Sequence, residues 1–457
     1  MPISASTDTP VTGSQPAISL RKTLLRGFAG VGVTRVVQML LSLLVSVVLA
    51  RALGPEQFGH YSLIIAVIGL CALPAYAGFA PLLVREVARF DATDTGSDQQ
   101  PQLIAALRQW ALRCTLLLAG AGVLGFGVFY TQTNTQTNLV LAQPYVIGGL
   151  LCCAVVAIAL TRFNAALLQG MHRVVVATLP ETIVRPATLT VLLGVLLLAG
   201  ALDISAALLC YSVAVICAWG YARFLLRGSE PQLASPVSES QLSAEVQRWR
   251  AAVWPFTGIA AIGYLNTELF VPLVAWLADP LEVAYFKIAL SLAILIGMPL
   301  TLVESVIKPT VTRLYELSDG RRLQQLVGRS GWAALGVSVP LLACFILFGE
   351  RLVVSVFGEA YVAVTQPMII LGVGFAIVNL VGPSMQLLYA TRFEKDALVI
   401  SLLSLACVVL GSLAMIPMYG AVGGACVFAT AKVVRALAFR FWAARRLHSL
   451  FNAVQTP

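Results

Sequence analysis

A chain of 457 residues that is 59% hydrophobic and only 11% charged is too apolar for a soluble globular protein, so its composition predicts an integral membrane protein. Apolar stretches of about 20 residues fit helices that cross a bilayer, and no alternating ten-residue pattern indicates a barrel. The net charge of +9 would suggest nucleic-acid binding in a soluble protein, but membrane topology explains the basic residues here.

The start of the chain is polar. Residues 1–20 are rich in Ser, Thr and Pro, and they lack the basic segment and short apolar core of a signal peptide. We expect this segment to be a disordered cytoplasmic tail.

Twelve apolar segments of membrane length follow, which predicts an all-α polytopic membrane protein. They lie at about 29–50, 60–83, 110–130, 143–164, 179–200, 204–225, 252–277, 283–307, 330–348, 366–389, 397–418 and 421–441. Because twelve is an even number, both termini are expected on the same side of the membrane.

A short polar turn between the first two spans, Ala50-Arg51-Ala52-Leu53-Gly54-Pro55-Glu56-Gln57-Phe58-Gly59-His60-Tyr61, has a second copy later in the chain. Gly54-Pro55 is expected to end the first helix, because proline lacks a backbone donor and clashes with the preceding turn. The second copy, residues 275–286, follows about 225 residues later and aligns Pro280 with Pro55.

The repeated turn predicts two six-helix lobes related by a pseudo-twofold axis along the membrane normal, which is a known transporter architecture. The longest polar connection separates them. The predicted divisions are an N-terminal lobe at 21–226, a cytoplasmic linker at 227–250, a C-terminal lobe at 251–446 and a cytoplasmic tail at 447–457.

Basic residues alternate between connections in a way that predicts orientation, because short cytoplasmic loops hold an excess of Lys and Arg. The only Lys or Arg residues in the odd-numbered connections are Arg51 and Arg351. Both termini are therefore expected in the cytoplasm. The even-numbered connections and the tails carry most of the other basic residues, among them Arg85, Arg89, Arg162, Arg173, Arg223, Arg248, Arg250, Arg322, Arg440 and Arg445.

The sequence offers little for an enzyme. It has three histidines, and its nine cysteines lie in or beside apolar runs without metal-ligand spacing. No Walker loop is present, and no connection is long enough for a catalytic domain. We therefore expect a transporter without a metal or organic cofactor.

Polar groups inside apolar spans carry the functional prediction, since each is costly at the centre of a bilayer. Arg35, Gln38, Ser42 and Ser46 fall within an arc of roughly 80° on the first span. Arg35 either faces an internal cavity or extends its charge to the interface. We take this polar face as a candidate cavity lining.

Span seven shows a similar stripe of Thr257, Tyr264 and Glu268, with Glu268 near the middle of the membrane. Glu268 is a candidate for ion coupling or for a buried pair with a cation. On the last span, Lys432 and Arg435 are candidate cavity cations.

Two further cations, Arg85 and Arg185, are placed at the cytoplasmic mouth of the path. Such a basic path favours an anionic headgroup, for example a phosphate. The order of Glu181 and Arg185 favours an i,i+4 pair of structural value. Asn379 and Gln386 share a face of span ten, and helix–helix hydrogen bonding is their expected role.

The Ala-Arg-Ala-Leu-Gly-Pro-Glu-Gln-Phe-Gly-His-Tyr turn, after a basic start to the first span, resembles the MOP flippase superfamily, and within it the Wzx-type polysaccharide and O-antigen translocases. Looser similarity is found at Leu168-Gln169-Gly170-Met171-His172-Arg173, Val283-Ala284-Tyr285-Phe286 and Phe357-Gly358-Glu359-Ala360-Tyr361. The resemblance covers about residues 20–450.

This resemblance implies a bilobal transporter of the bacterial inner membrane. It would move undecaprenyl-diphosphate-linked oligosaccharides to the periplasmic leaflet by alternating access, for O-antigen, exopolysaccharide or capsule biosynthesis. Arg35, Lys432 and Arg435 fit a diphosphate-binding cavity, and Glu268 fits coupling to H⁺ or Na⁺. The expected partners are membrane lipid and polysaccharide polymerase or ligase machinery, with the transporter itself a monomer.

Two alternatives stay open. A cation-coupled multidrug exporter has the same fold, although such proteins tend to place an acidic residue in the N-terminal cavity, where this chain has Arg35. A membrane polysaccharide ligase or polymerase is the other alternative, and the lack of a large periplasmic loop disfavours it.

Overall fold

The computed structural model describes residues 17–92, 100–136, 144–227, 239–316, 320–384 and 394–455, and every regular element in these ranges is helical. Most of the predicted N-terminal tail, residues 228–238 in the first half of the linker and Gln386 lie outside the described residues. The N-terminal half contains α1 (Ala17–Tyr76), α2 (Phe79–Ala92), α3 (Gln100–Gln136), α4 (Pro144–Gly170), α5 (Val174–Leu179), a π-helical turn (Pro180–Val184), α6 (Arg185–Leu198) and α7 (Ile204–Leu226).

The C-terminal half continues in the same style. It contains α8 (Glu239–Glu268), α9 (Phe270–Leu277), α10 (Pro280–Glu316), α11 (Gly320–Phe357), a 3₁₀ helix (Glu359–Val364), α12 (Thr365–Val381) and α13 (Glu394–Gln455).

The described residues contain nine helices long and apolar enough to cross a membrane, and a tenth span if the bent pair 243–268 and 270–277 is counted together. Two of the nine, α1 and α13, are interrupted by non-helical glycines, Gly54 and Gly420. Division of these two helices at their glycines is compatible with twelve spans. The exact number stays a prediction.

The predicted break at the first turn is present at Gly54, whose φ of 73° lies in the left-handed region that glycine adopts without strain. Pro55 then starts the second arm of α1. In the second copy the backbone is extended at Ala278, and Pro280 begins α10. The two turns touch, because a Cβ at Gly59 would collide with the carbonyl oxygen of Pro280. We call this end of the bundle the hinge end.

Hydrogen bonds also join the two halves at the hinge end. Arg51 donates through Nε to the Val356 carbonyl at 2.7 Å, and its Nη2 donates to the Ser355 carbonyl. The Tyr361 hydroxyl donates to the Ala50 carbonyl at 2.9 Å. The N-terminal half is thus bonded to the end of α11 and to the 3₁₀ helix that follows it.

At the opposite end, which we call the linker end, α8 packs against the N-terminal half. Trp249 is fully buried in an apolar cluster with Phe79 and Leu83, and its ring lies 5.7 Å from that of Trp110. The chain then bends by 52° between α8 and α9. Phe270 in α9 packs on Phe428 in the C-terminal half, so span seven contacts both halves.

A buried hydrogen-bond network ties three helices of the C-terminal half together. The Asn379 amide in α12 donates to the Ile296 carbonyl in α10 at 2.7 Å and to the Ser338 hydroxyl in α11 at 2.6 Å. The interpretation of Asn379 as a helix–helix hydrogen-bonding residue is therefore confirmed.

Candidate functional site

The polar face of α1 lies on its first arm, before the glycine break. Arg35 and Ser42 are exposed, and Gln38 and Ser46 are partly buried. The Arg35 guanidinium donates to Gln38 Oε1 at 3.2 Å, and the Ser46 hydroxyl donates to the Ser42 carbonyl at 3.0 Å. These bonds keep the polar groups on one side of the helix, where they can meet a polar ligand.

Lys432 lies inside the C-terminal half, on the second arm of α13. Its ammonium is 4.1 Å from the ring centroid of Phe375 and 5.0 Å from that of Phe428. Both rings present their negative faces to the cation, which offsets part of its lost hydration. Lys432 also interacts electrostatically with Arg435 and Glu304. The two candidate cations of the last span therefore act on the same region.

A small cavity of about 10 Å³ lies beside this pair of cations, and Asn266, Ser404, Lys432 and Arg435 contribute to its wall. The Asn266 amide nitrogen is bonded to the Ile262 and Ser401 carbonyls. Its Oδ1 atom and the Ser404 hydroxyl are buried without a hydrogen-bond partner among the described residues. Such groups are costly in an apolar interior unless they find a hydrogen-bond partner, and a space of this size holds about one water molecule.

Glu268 is the last residue of α8, directly before the bend of span seven. It interacts electrostatically with Tyr76, Tyr211 and Tyr264, which belong to α1, α7 and α8. Since two of these tyrosines come from the N-terminal half, Glu268 faces that half of the molecule. It does not share a site with Lys432 in the described residues.

Thr257 and Tyr264, the other members of the predicted stripe on α8, also face the N-terminal half. A Cβ at Gly69 would come within 2.5 Å of the Tyr264 hydroxyl, and one at Gly78 would collide with the Thr257 hydroxyl. The stripe therefore packs closely against glycines of α1 and of the turn that follows it. These glycines allow span seven to approach the N-terminal half.

Arg185 lies deep in the N-terminal half. The helical run that contains it begins at Val174, about 16 Å along the axis at helical rise. It interacts electrostatically with Tyr211, Glu181, Tyr264 and Tyr61. This position is well inside the lobe, whereas the sequence placed Arg185 at the mouth.

The ion pair of Glu181 also differs from the expected one. Its carboxylate is bound by Arg162 Nε at 2.6 Å, and the Arg162 guanidinium stacks 5.5 Å from the ring centroid of Tyr76. The π-helical turn Pro180–Val184 explains the difference in part, because i→i+5 winding changes which side chains face each other between Glu181 and Arg185.

Arg85 occupies the linker end, in a cluster that the sequence prediction missed. It pairs with the fully buried Glu86 at 2.8 Å, and Arg89 and Arg248 bind the same carboxylate at 3.1 and 2.8 Å. Arg85 also lies 5.1 Å from the ring centroid of Phe256. The spacing Arg85-Glu86-x-x-Arg89 was the available local signal, but Arg248 comes from α8.

The charge of Glu86 is maintained by these partners. Burial alone would oppose ionisation, but hydrogen bonds from Arg85 and Arg89 and the charge of Arg248 outweigh it, so the pKa of Glu86 is lowered. The cluster fastens the linker end of α8 to α2. Its chemistry is that of an ion-pair network between segments.

Within the residues that the structure describes, no group of three or more His, Cys, Asp or Glu side chains could hold a metal ion. The candidate site consists of Lys and Arg side chains together with side-chain amides and hydroxyls. These groups are distributed over the two halves of the helical bundle. Arg35, Gln38 and Ser42 belong to one half, and Lys432 and Arg435 to the other.

Solved transporter structures match this chain over almost its whole length. An inward-facing MATE multidrug resistance transporter of the MOP superfamily has a TM-score of 0.69 at 13% identity, covering 93% of this chain and 100% of that one. The lipid II flippase MurJ, in an inward closed conformation, has a TM-score of 0.68 at 11% identity, covering 90% and 87%. The fold is that of a polytopic MOP-type transporter.

A MOP superfamily transporter from Pyrococcus furiosus, described as having reverse polarity of its binding pocket, is similar at a TM-score of 0.60 and 12% identity, covering 94% of this chain and 96% of that one. The sequence profile of the polysaccharide biosynthesis protein family matches residues 24–315. The chain belongs to this family. No curated protein matches it in sequence.

Proposed function

We propose that this protein moves an undecaprenyl-diphosphate-linked oligosaccharide from the cytoplasmic to the periplasmic leaflet of a bacterial inner membrane. The product would feed O-antigen, exopolysaccharide or capsule biosynthesis. One observation carries the proposal: Lys432 and Arg435, on a membrane-spanning helix, line a small cavity that also has polar atoms in its wall. The protein that contains this site belongs to a polysaccharide biosynthesis family. A pair of partly buried cations is suited to a diphosphate.

The arrangement of charges supports the direction of transport. The positive-inside rule supports a cytoplasmic linker end and a periplasmic hinge end. At the hinge end, Arg51 and Tyr361 hold the halves together through backbone carbonyls. Substrate would therefore enter from the cytoplasmic side, and release on the other side would require these bonds to break.

The candidate residues take distinct roles in this proposal. Arg35, Lys432 and Arg435 bind the diphosphate from opposite halves, and Gln38 and Ser42 bind sugar hydroxyls. Glu268, at the bend of span seven, couples the change of conformation to H⁺ or Na⁺. The protein acts as a monomer that delivers its product to polymerase or ligase machinery.

A cation-coupled multidrug exporter is the second candidate, and the full-length similarity to MATE structures favours it. Such a protein would need a cavity that accepts cationic or apolar drugs. The exposed Arg35 on α1 and the cation pair on α13 would repel a cationic drug. We therefore favour the anionic substrate.

Deletion of the gene, followed by lipid analysis, tests the proposal. We expect loss of surface polysaccharide together with lipid-linked oligosaccharide that accumulates in the inner leaflet. Complementation with the wild-type chain should restore both. Unchanged polysaccharide combined with increased drug sensitivity would contradict the flippase function and support the exporter.

A further inference from the structure

We propose that the groove between the two arms of α13 binds the polyprenyl chain of the substrate, with the diphosphate held at Arg435. This inference rests on the proposed function and adds a binding site for the lipid part of the substrate. The groove has a volume of about 510 Å³. Its wall is mostly apolar and includes Val399, Leu403, Cys407, Gly411, Val434 and Trp442.

The length of the groove fits a chain that lies along the membrane normal. Its wall extends along the first arm from Asp396 to Met415, which is about 28 Å at helical rise. That length is close to the ~30 Å of a hydrocarbon core. Leu403 and Val434 are exposed on opposite arms, so the groove opens toward the lipid. A hydrocarbon chain could therefore enter it sideways from the bilayer.

The inner wall of the groove is also the wall of the small polar cavity. Ser404, Ala431 and Arg435 line both spaces. On the cavity side lie Lys432 and Asn266, a residue that is 6% exposed and whose Oδ1 atom has no hydrogen-bond partner among the described residues. An apolar channel thus adjoins cations and buried polar atoms. This combination matches a molecule with a hydrocarbon tail and an anionic head.

The depth of Arg435 separates a transported lipid from a resident phospholipid. Arg435 lies about 10 Å along α13 from Trp442, at the linker end of the groove, and Ser404 lies about 12 Å from Asp396 on the other arm. The two residues are therefore at a similar depth inside the hydrocarbon region. A resident phospholipid keeps its phosphate at the interface, whereas a lipid that is being flipped must bring its charged head inside.

The far part of the groove then accommodates the tail. Beyond Ser404 the first arm continues past Cys407 and Gly411 to Met415, which adds about 16 Å of apolar wall. This is about half the thickness of the hydrocarbon core. The tail of a lipid whose head is at Arg435 would run from the linker end toward the hinge end.

Variants that fill the groove test this inference. Cys407→Trp and Val434→Trp each place a large ring in the groove from a different arm. Leu410→Trp is the matched control, because Leu410 is 68% exposed on the same arm and does not line the groove. The purified full-length chain, in phosphatidylcholine nanodiscs, is titrated with undecaprenyl diphosphate in the absence and presence of added phosphatidylglycerol, and bound lipid is counted by native mass spectrometry. Monodispersity is checked for every variant.

We expect Cys407→Trp and Val434→Trp to weaken undecaprenyl diphosphate binding by about tenfold, or about 1.4 kcal/mol, with Leu410→Trp unchanged. Arg435→Gln should weaken undecaprenyl diphosphate binding without affecting uncharged undecaprenol. If both groove variants bind undecaprenyl diphosphate as tightly as the wild type does, the groove is not the binding site of the polyprenyl chain. Equal competition by phosphatidylglycerol would also overturn the inference, by showing a general lipid site.

The same measurements separate this inference from the proposed function. If the groove variants bind normally while Arg435→Gln binds weakly, the tail site is wrong and the flippase function stands. If wild-type protein retains no undecaprenyl diphosphate, the proposed function itself is contradicted.

Discussion

The Tyr361 hydroxyl donates a hydrogen bond of 2.9 Å to the Ala50 carbonyl, across 311 positions of sequence and between the two halves of the molecule. Ala50 lies one turn before the break at Gly54, where helical carbonyls lose their partners. The neighbouring Arg51 binds the last carbonyls of α11, where the helix dipole is negative. The repeated turn is therefore a point of attachment between the halves as well as a break in the helix.

Removal of these bonds should favour a conformation that is open at the hinge end. We expect Tyr361→Phe and Arg51→Ala each to increase the population of this open conformation by about 3- to 10-fold, because one net hydrogen bond contributes about 0.5–1.5 kcal/mol. Spin labels at positions 56 and 359, in a background without native cysteines, would report the distance distribution.

Tyr285→Phe is the control for the hinge variants. Its hydroxyl donates to the Ala360 carbonyl at 3.2 Å, within the C-terminal half. It removes the same chemical group without breaking a bond between the halves. If Tyr285→Phe changes the distances as much as Tyr361→Phe, the role of Tyr361 as an attachment point is refuted.

The parts of the structure that could be predicted depend on local chemistry. Gly54-Pro55 carries its own signal for a helix break, and the break is present. The 52° bend of span seven also has a local signal, which the sequence analysis did not use: Pro272 has no N–H to bond the Glu268 carbonyl, and its ring crowds that carbonyl. Only tertiary structure reveals that the helices on either side of the bend pack against different halves, α8 through Trp249 and α9 through Phe270.

Contacts between different helices were hidden from the sequence. Glu181 was expected to pair with Arg185 in its own helical run. Glu181 lies in a π-helical turn, and Arg162 on α4 binds its carboxylate instead. Lys432 was recognised as a cation inside a span, and Phe428 lies one turn before it on the same helix, but its closer aromatic neighbour, Phe375, comes from α12. Periodicity identifies the polar residue, and the neighbouring helices determine its contacts.

Neutralisation of Glu86 should weaken the attachment of α8 to α2. In Glu86→Gln the three arginines lose their common carboxylate, and we expect a loss of about 1–3 kcal/mol in stability at pH 7. Glu245→Gln is the control, since its partner Arg248 is shared but its bond, at 3.3 Å, is longer. Thermal unfolding in detergent measures the difference.

The stability difference between wild type and Glu86→Gln should also depend on pH. Because the folded-state pKa of Glu86 is lowered, its stabilising effect is complete above the unfolded-state value of about 4.3 and is lost as the pH falls through the folded-state value. The difference between wild type and Glu86→Gln should therefore shrink below about pH 4. A difference that stays constant or grows as the pH falls would contradict the proposed charge state.

Substitution of the cavity cations should impair export without loss of protein. We expect Arg35→Ala and Lys432→Ala each to reduce transport by about tenfold or more, because a hydrogen bond to a charged group contributes about 1.5–3 kcal/mol. Arg445→Ala, an exposed residue near the end of α13, should retain activity. Surface polysaccharide and protein level are measured together. Full export by both cavity variants would remove Arg35 and Lys432 from the substrate path.

Glu268 provides the sharpest distinction between ion coupling and a purely structural charge. It lies at the bend of span seven among tyrosines of both α8 and the N-terminal half, so a change in its charge acts where the two halves meet. If it couples transport to an ion, Glu268→Gln should fold normally and abolish the dependence of transport on an imposed H⁺ or Na⁺ gradient.

Reconstituted vesicles with and without each gradient would measure this dependence for wild type, Glu268→Gln and Glu268→Asp. Glu268→Asp keeps the charge and should retain most of the response. A Glu268→Gln protein that still responds to the gradient, but unfolds at a markedly lower temperature, would instead identify Glu268 as one member of a buried pair. The charge would then stabilise the bend of span seven, because removal of one partner from a buried pair leaves the other charge uncompensated.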